Sequence, residues 1–181
     1  MNLTEKTLSR KTIFNGKIIN VHVDNAVLPN GKTVSREVVT HTGGVCIAAL
    51  TDNDELLFVR QFRYPYSEVL LELPAGKLAP GENPIECGKR ELREETGAVA
   101  EIFEPLGKLY PSPGFCNEII YLYYATKLTF GKMSPDDDEF LEAEQIPFKL
   151  AVQMVLENKI TDAKTQIAVL KLAEMKRRGL L

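Results

Sequence analysis

The sequence predicts an α/β fold, an α/β/α sandwich. Three observations carry this: a strongly capped helix near the middle of the chain, strand-like segments on both sides of it, and two helical segments at the C-terminal end. With 181 residues, 44% of them hydrophobic and 26% charged, the chain has ordinary globular composition and enough length for a sizeable core. A formal net charge of −3 gives no sign of nucleic-acid or membrane binding. Cys46, Cys87 and Cys116 are far apart and form no CxxC pair, so neither disulfides nor zinc are expected and a reducing cytoplasm fits. The opening MNLTEKTLSRK has no apolar core, and no apolar run approaches the length of a membrane helix. Neither a signal peptide nor a membrane span is expected.

Lys11–Phe14 and Lys17–Leu28 read as strands, since Ile19, Val21 and Val23 alternate with Asn20, His22 and Asp24. Pro29-Asn30-Gly31-Lys32 is a hairpin turn, with a return strand over Thr33–Thr40. Gly44–Leu50 (GVCIAAL) is a continuous apolar run, as in a strand buried on both faces. Asp52-Asn53-Asp54 turns the chain into a strand over Glu55–Phe62, and a further strand over Val69–Leu73 leads into Pro74-Ala75-Gly76. Asn83 is a good N-cap, Pro84 suits the first turn, Glu86 completes a capping-box spacing and Gly97 supplies a stop. These bound a helix over Pro84–Thr96, on which Ile85, Gly88 and Leu92 share the face expected to meet the core. Ile102–Tyr110 and Glu118–Lys127 follow as strands, the second rich in β-branched and aromatic residues. An acidic loop, Met133–Glu139, precedes a strand over Phe140–Ile146. Phe148–Asn158 and Asp162–Arg178 are predicted helices. Ile167, Leu170, Ala173 and Met175 mark the apolar face of the last one, and its basic end suits the helix dipole. His22 and His41 stand in no metal-ligand spacing and read as surface or loop residues.

The central helix also carries the chemistry. Glu91 and Glu95 are separated by one helical turn, with Glu94 on their flank. Like charges so placed destabilise an isolated helix by a few tenths of a kcal/mol, roughly, and a cation between them turns that repulsion into binding. Clustered carboxylates are hard oxygen ligands, suited to Mg²⁺ or Mn²⁺ rather than zinc. A solvated acidic face paired with Arg90 and Arg93 is the other reading of the same residues.

Gly76, five residues, Glu82, seven residues, then Arg90-Glu91-Leu92-x-Glu94-Glu95-x-Gly97 resembles the Nudix box, the signature of the Nudix hydrolase family. Every charged and glycine position is filled; Ala98 stands where a larger aliphatic is usual. The resemblance implies Mg²⁺-dependent cleavage of a nucleoside diphosphate linked to another group, with Mn²⁺ a possible substitute. It places the metal ligands at Glu91, Glu94, Glu95 and the Ala75 carbonyl, and gives Arg90 a structural role in orienting a glutamate.

Further stretches resemble the ADP-ribose pyrophosphatase branch of that family. Val59-Arg60-Gln61-Phe62-Arg63 is similar to a VxQFR segment whose arginine contacts substrate, and a bidentate guanidinium at Arg63 suits a diphosphate. A plain surface arginine is the alternative. Ser112-Pro113-Gly114-Phe115 places Pro113 sixteen residues beyond Gly97, a spacing that resembles the marker of the branch. Ser112 and Gly114 thereby join the substrate-binding candidates. Asp136-Asp137-Asp138-Glu139-Phe140-Leu141-Glu142 reads by itself as a solvated charge run. In the branch, a loop with a similar ending brings a glutamate onto the attacking water. Glu139 holds that position, with Glu142 next, so Glu94, Glu95 and Glu139 are the catalytic candidates. Arg36 and Glu37 match a segment that reaches the terminal ribose or adenine side, often from the other subunit. The resemblance continues to the DAKT segment at Asp162–Thr165.

Residues 1–42 resemble the extra N-terminal antiparallel sheet of the branch, which swaps across a homodimer and helps build the substrate pocket. Residues 43–181 would then form the Nudix hydrolase domain. An edge sheet in a monomer is the plainer reading. The function implied is cytoplasmic hydrolysis of ADP-ribose to AMP and ribose 5-phosphate, with a small-molecule substrate and no nucleic-acid or membrane partner. The alternatives are a Nudix pyrophosphatase acting on another nucleoside diphosphate sugar, such as GDP-mannose, or on a dinucleotide, and a non-catalytic Nudix-fold nucleotide sensor. A sensor would be expected to have lost box carboxylates or gained a DNA-binding appendage.

Overall fold

The computed structural model describes residues 2–135 and 139–181, and the chain forms two units in it. The first comprises Met1–Gly43 and Tyr110–Ile119. Its base is an antiparallel sheet in the order β1 (Lys6–Asn15), β2 (Ile19–Val27), β3 (Thr33–His41). The β2–β3 connection is the expected hairpin: Gly31 takes φ 83°, which favours glycine, and its N–H donates to Leu28 O at 2.9 Å. β1 begins at Lys6, ahead of the expected Lys11. Its first half has no apolar alternation, and the ladder to β2, from Lys6↔Val27 to Asn15↔Asn20, imposes the strand. Arg10 clasps Asp24 across that ladder through Nε to Oδ1 at 2.9 Å and Nη2 to Oδ2 at 2.7 Å. His22, expected at the surface, is buried together with Asp24 and Ala26. β2 buries that side and leaves Val21 and Val23 partly exposed, the reverse of the apolar alternation.

The second unit comprises Gly44–Leu109 and Ile120–Leu181. In chain order it contains β4 (Gly44–Ala49), β5 (Glu55–Arg63), β6 (Glu68–Glu72), β7 (Ala75–Lys77), α1 (Pro84–Thr96), β8 (Ala98–Leu109), β9 (Ile120–Phe130), β10 (Leu141–Pro147), α2 (Phe148–Leu156) and α3 (Ala163–Arg177). One sheet has the order β7-β4-β9-β8 and the other β10-β5-β6. β4 and β9 run parallel. β4 is buried along its whole length, and its period of two sorts the apolar run into two cores. Val45, Ile47 and Ala49 pack with Cys87 and Leu92 of α1. Cys46, Ala48 and Leu50 pack with Ala151 and Val155 of α2 and with Ala168, Val169 and Leu172 of α3. Helices on both sides of the β4 sheet make the α/β/α sandwich that the order of elements predicts.

Two helices turn differently from expectation. In α1, Asn83 Oδ1 accepts from Ile85 N at 2.9 Å, and Gly97, at φ 72°, ends the helix through its N–H to Arg93 O. Glu86 does not close the capping box but pairs with Lys89 at 3.1 Å, one turn along. The buried side holds Cys87, Gly88, Glu91, Leu92, Glu95 and Thr96, while Ile85 is 39% exposed. The face is rotated because two glutamates, and not only apolar groups, are turned inward. In α3 the buried residues are Thr165, Ala168, Val169 and Leu172. Ile167 and Leu170, two of the predicted core residues, stay exposed. Thr165 sets that rotation: its Oγ1 accepts from Leu73 N at 2.9 Å, locking the first turn of α3 onto the segment after β6. β7 was not foreseen; three residues are too few for a periodic signal, and pairing with β4 defines it. Among the described residues, no helix is long and apolar enough to cross a membrane.

Candidate active site

The site of the larger unit is built where β7 meets α1. β7 pairs antiparallel with β4, Cys46 opposite Ala75 and Gly44 opposite Lys77. Its backbone at Ala75 and Gly76 then faces the carboxylates of α1. A Cβ on Gly76 would lie 1.9 Å from the Glu91 carboxyl carbon, so only glycine leaves that carboxylate its place. One residue earlier, the Ala75 N–H donates to Glu95 Oε2 at 3.0 Å. Both glutamates are buried, Glu91 to 6% and Glu95 to 1% exposure.

Burial dominates their electrostatics. It pushes the Glu95 carboxyl up to about 8, with the negative charges of Glu91 and Glu139 adding to it, against the opposing Ala75 N–H bond. Burial also pushes Glu91 up to about 7, opposed by Arg90 and reinforced by Glu139 and Glu94. Glu139 therefore acts on the same carboxylate group as Glu91 and Glu95. Its side chain is partly buried; Asp136, Asp137 and Asp138, the rest of that acidic run, lie outside the described residues. Glu142 is exposed in β10, opposite Arg60 of β5.

Arg90 organises the outer side of the cluster. Its Nε and Nη2 donate to the two oxygens of Glu82 at 3.0 and 3.2 Å, and its Nη1 donates to Glu94 Oε2 at 2.8 Å. The same Nη1 lies 2.9 Å from Glu91 Oε1. Arg90 and the Ala79 N–H hold the Glu82 carboxyl down at about 2. Glu82 thus anchors the arginine that spans Glu91 and Glu94.

Among the described residues, no three acidic, histidine or cysteine side chains enclose a common point ready for a metal ion. Arg90 draws Glu91 and Glu94 toward itself, and Ala75 draws Glu95. The donor chemistry nevertheless fits a hard divalent cation. Carboxylate oxygens are grouped against a bare glycine backbone, and Glu91 and Glu95 carry a burial and repulsion penalty that a cation relieves.

Arg63 ends β5. It is not a free surface side chain: its Nε donates to Glu72 Oε1 at 2.6 Å and its Nη2 to Glu72 Oε2 at 2.7 Å. Its charge also acts on Glu95. Lys164 Nζ donates to the same Glu72 and, at 2.9 Å, to Asp162 Oδ1. Sequence reasoning did not single out Glu72 or Lys164. The available signals were a glutamate inside the apolar LELP segment and a lysine in the DAKT segment.

The smaller unit gathers the other candidates. Arg36, Glu37 and Gly114 line a common cavity of about 410 Å³, with Tyr110 and Phe115 among its apolar walls. Ser112 does not line it; its carbonyl accepts from Phe115 N at 3.2 Å and Cys116 N at 2.9 Å, closing the Pro113-Gly114 turn. Arg36 is paired with Glu5, Nη2 to Oε1 at 2.8 Å.

The sequence pattern of the NUDIX domain matches residues 40–168. The chain belongs to the Nudix hydrolase family. Nudix hydrolases use divalent metal ions, in keeping with the carboxylate cluster above. The pattern of the nucleoside diphosphate sugar hydrolase N-terminal domain matches residues 5–39, ahead of the Nudix domain. The ADP-ribose pyrophosphatase of Bacillus subtilis (strain 168) is 40% identical over 170 residues, which cover 93% of this chain and 92% of that protein. The methanol dehydrogenase activator of Bacillus methanolicus is 41% identical over 167 residues, 91% of this chain and 90% of that one. The crystal structure of an ADP compounds hydrolase superposes with a TM-score of 0.85 over 100% of both chains at 23% identity, which shows that the Nudix fold is shared.

Proposed function

We propose that this Nudix hydrolase is a Mg²⁺-dependent ADP-ribose pyrophosphatase, which adds water across the diphosphate to give AMP and ribose 5-phosphate. The observation that carries the reading is the meeting of Glu91, Glu95 and Glu139 charges beside the bare backbone at Gly76, with Arg63 acting on the same group. The near full-length relationship to the B. subtilis ADP-ribose pyrophosphatase supports the choice of substrate. Glu91, Glu94, Glu95 and the Ala75 carbonyl would hold Mg²⁺, or Mn²⁺ in its place, which when bound neutralises phosphate charge and lowers the pKa of water.

The remaining roles fall to the protein. Arg63 binds a phosphate of the substrate as a cation fixed in orientation by Glu72. Glu139 takes a proton from the attacking water. A new P–O bond forms at one phosphorus as the bridging oxygen leaves with the other. Arg36 and Glu37 are assigned to the terminal ribose or adenine side of the substrate, with Gly114 lining the same cavity and Ser112 closing the turn that carries it. Residues 1–42 are assigned to dimerisation and pocket building in a cytoplasmic homodimer, and 43–181 to catalysis.

The test is a substrate panel of ADP-ribose, GDP-mannose, NADH, diadenosine polyphosphates and 8-oxo-dGTP, with Mg²⁺, followed by product chromatography. A kcat/KM preference for ADP-ribose, with AMP as product and loss of turnover on chelation, is the expected result. Preference for another compound would overturn the substrate assignment and leave the Nudix chemistry standing.

A further inference from the structure

We propose that Lys164 is a positioning residue for Arg63, acting through Glu72. The inference rests on the reading of Arg63 as a substrate contact and names the device that aims it. In the β5–β6 ladder, Arg63 lies directly opposite Glu68, an exposed carboxylate, whereas Glu72 lies opposite Val59. Arg63 passes over its direct neighbour and runs back along the strand to a glutamate at the far end of β6, where both guanidinium bonds are made.

Glu72 is 1% exposed. A carboxylate buried so deeply attracts Arg63 only while it is charged, and one partly exposed arginine leaves its charge incompletely matched. Lys164 supplies the second cation. Its ammonium donates to Glu72 Oε2 and Asp162 Oδ1, and its side chain is 13% exposed. Burial acts to raise the Glu72 carboxyl, but the hydrogen bond from Arg63 and the charges of Lys164 and Arg63 outweigh it and hold it below the usual range.

The lysine is itself held rigidly. Asp162 caps α3 by accepting from Thr165 N at 2.9 Å, and Thr165 Oγ1 accepts from Leu73 N, next to Glu72. The first turn of α3 is thus fastened at two points to the chain just before the Nudix box. Through Glu72 it keeps Arg63 drawn back along β6 and away from Glu68. A side chain whose rotamer is fixed by buried partners on rigid elements binds a diphosphate with less ordering to do.

The experiment compares wild type, Lys164→Met, Arg63→Ala and the double variant, with Mg²⁺ and ADP-ribose. Lys164→Met is expected to raise KM about tenfold with kcat within about threefold, as for loss of one charged hydrogen-bonding arrangement. In the Arg63→Ala background it should add nothing further to KM, because the two residues act in series. Additive effects on KM would overturn the proposal. A second readout does not depend on turnover. In ¹⁵N-arginine spectra, the Arg63 Nε–H resonance, assigned by its loss in Arg63→Lys, should shift or broaden in Lys164→Met. An unchanged resonance would overturn the positioning role. Should the wild type hydrolyse no nucleoside diphosphate sugar, the functional reading fails and the resonance alone decides the positioning. If Lys164→Met does not fold, Lys164→Gln keeps a polar side chain, removes the charge and carries the same expectations.

Discussion

Gly76 and Glu91 interlock: the carboxyl group of Glu91 fills the space in which a side chain on Gly76 would begin, 1.9 Å from where its Cβ would stand. A strand of three residues and a helix of thirteen are thereby brought close enough for backbone and carboxylate to share one site.

Gly76→Ala is expected to fold, since the clashing atoms are the free end of a flexible side chain, and to displace the Glu91 carboxylate. Metal affinity and kcat/KM should each fall by about 10–100-fold, the usual scale for a disturbed metal surround. Calorimetric Mg²⁺ titration beside thermal unfolding checks this. Full activity in Gly76→Ala would remove Glu91 from the ligand set.

Glu95→Gln should keep the fold, because the amide can still accept from Ala75 N, and should lose at least about 10²-fold in turnover. Metal-free Glu95→Gln should also melt above the metal-free wild type at pH 8, since it removes the ionisation of a buried carboxylate. Near-wild-type turnover would sink the metal assignment.

The pH dependence of the metal-free protein follows from the same two groups. Glu91 and Glu95 titrate near 4.5 when unfolded and at about 7 and about 8 when folded. Between those values the folded chain binds more protons than the unfolded one, so stability is greatest below 4.5 with respect to these groups and falls as pH rises through about 7 and about 8. The melting temperature in chelator should therefore drop across that window, and Mg²⁺ should restore it on the alkaline side. Metal affinity should tighten over the same range, because the ion competes with the protons it displaces. A melting temperature flat across the window in chelator would contradict the buried-carboxylate account.

Glu139→Gln should lower kcat by about 10²–10⁴-fold while Mg²⁺ still binds. Pre-steady-state turnover and metal titration on the same sample separate the two effects. An unchanged kcat would transfer the base to Glu142 or to another glutamate.

Thr165→Val keeps the side-chain volume and removes the acceptor for the Leu73 N–H in a fully buried position. An orphaned buried donor costs about 1–3 kcal/mol, which chemical denaturation can read directly. A loss below a few tenths of a kcal/mol, roughly, would mean that the N–H finds another partner.

Much of this protein was readable along the chain. Asn83, Pro84 and Gly97 bounded α1 at the residues where it begins and ends, because caps and stops act within one helical turn. GVCIAAL announced a strand buried on both faces because an apolar run without alternation has no solvent side. The Nudix box identified the family because its glycine, arginine and glutamates occur at fixed short spacings. Rotation and partnership were not readable in this way. Ile85, Ile167 and Leu170 carry the apolar signal, yet Cys87, Thr165 and Val169 take the core, since the clock angle of a helix is set by what it packs against.

The sequence by itself determined most of the elements, their order and the spacing of the box, which depend on interactions within a few residues, while β7 and the first half of β1 came from sheet pairing. Only the tertiary structure decided that Glu82 would anchor Arg90, that Gly76 would make room for Glu91, and that Glu72 would be held by Arg63 and by Lys164, 92 residues away. The reason is physical: a buried carboxylate takes whichever cation the packing delivers, and no local spacing encodes which one arrives.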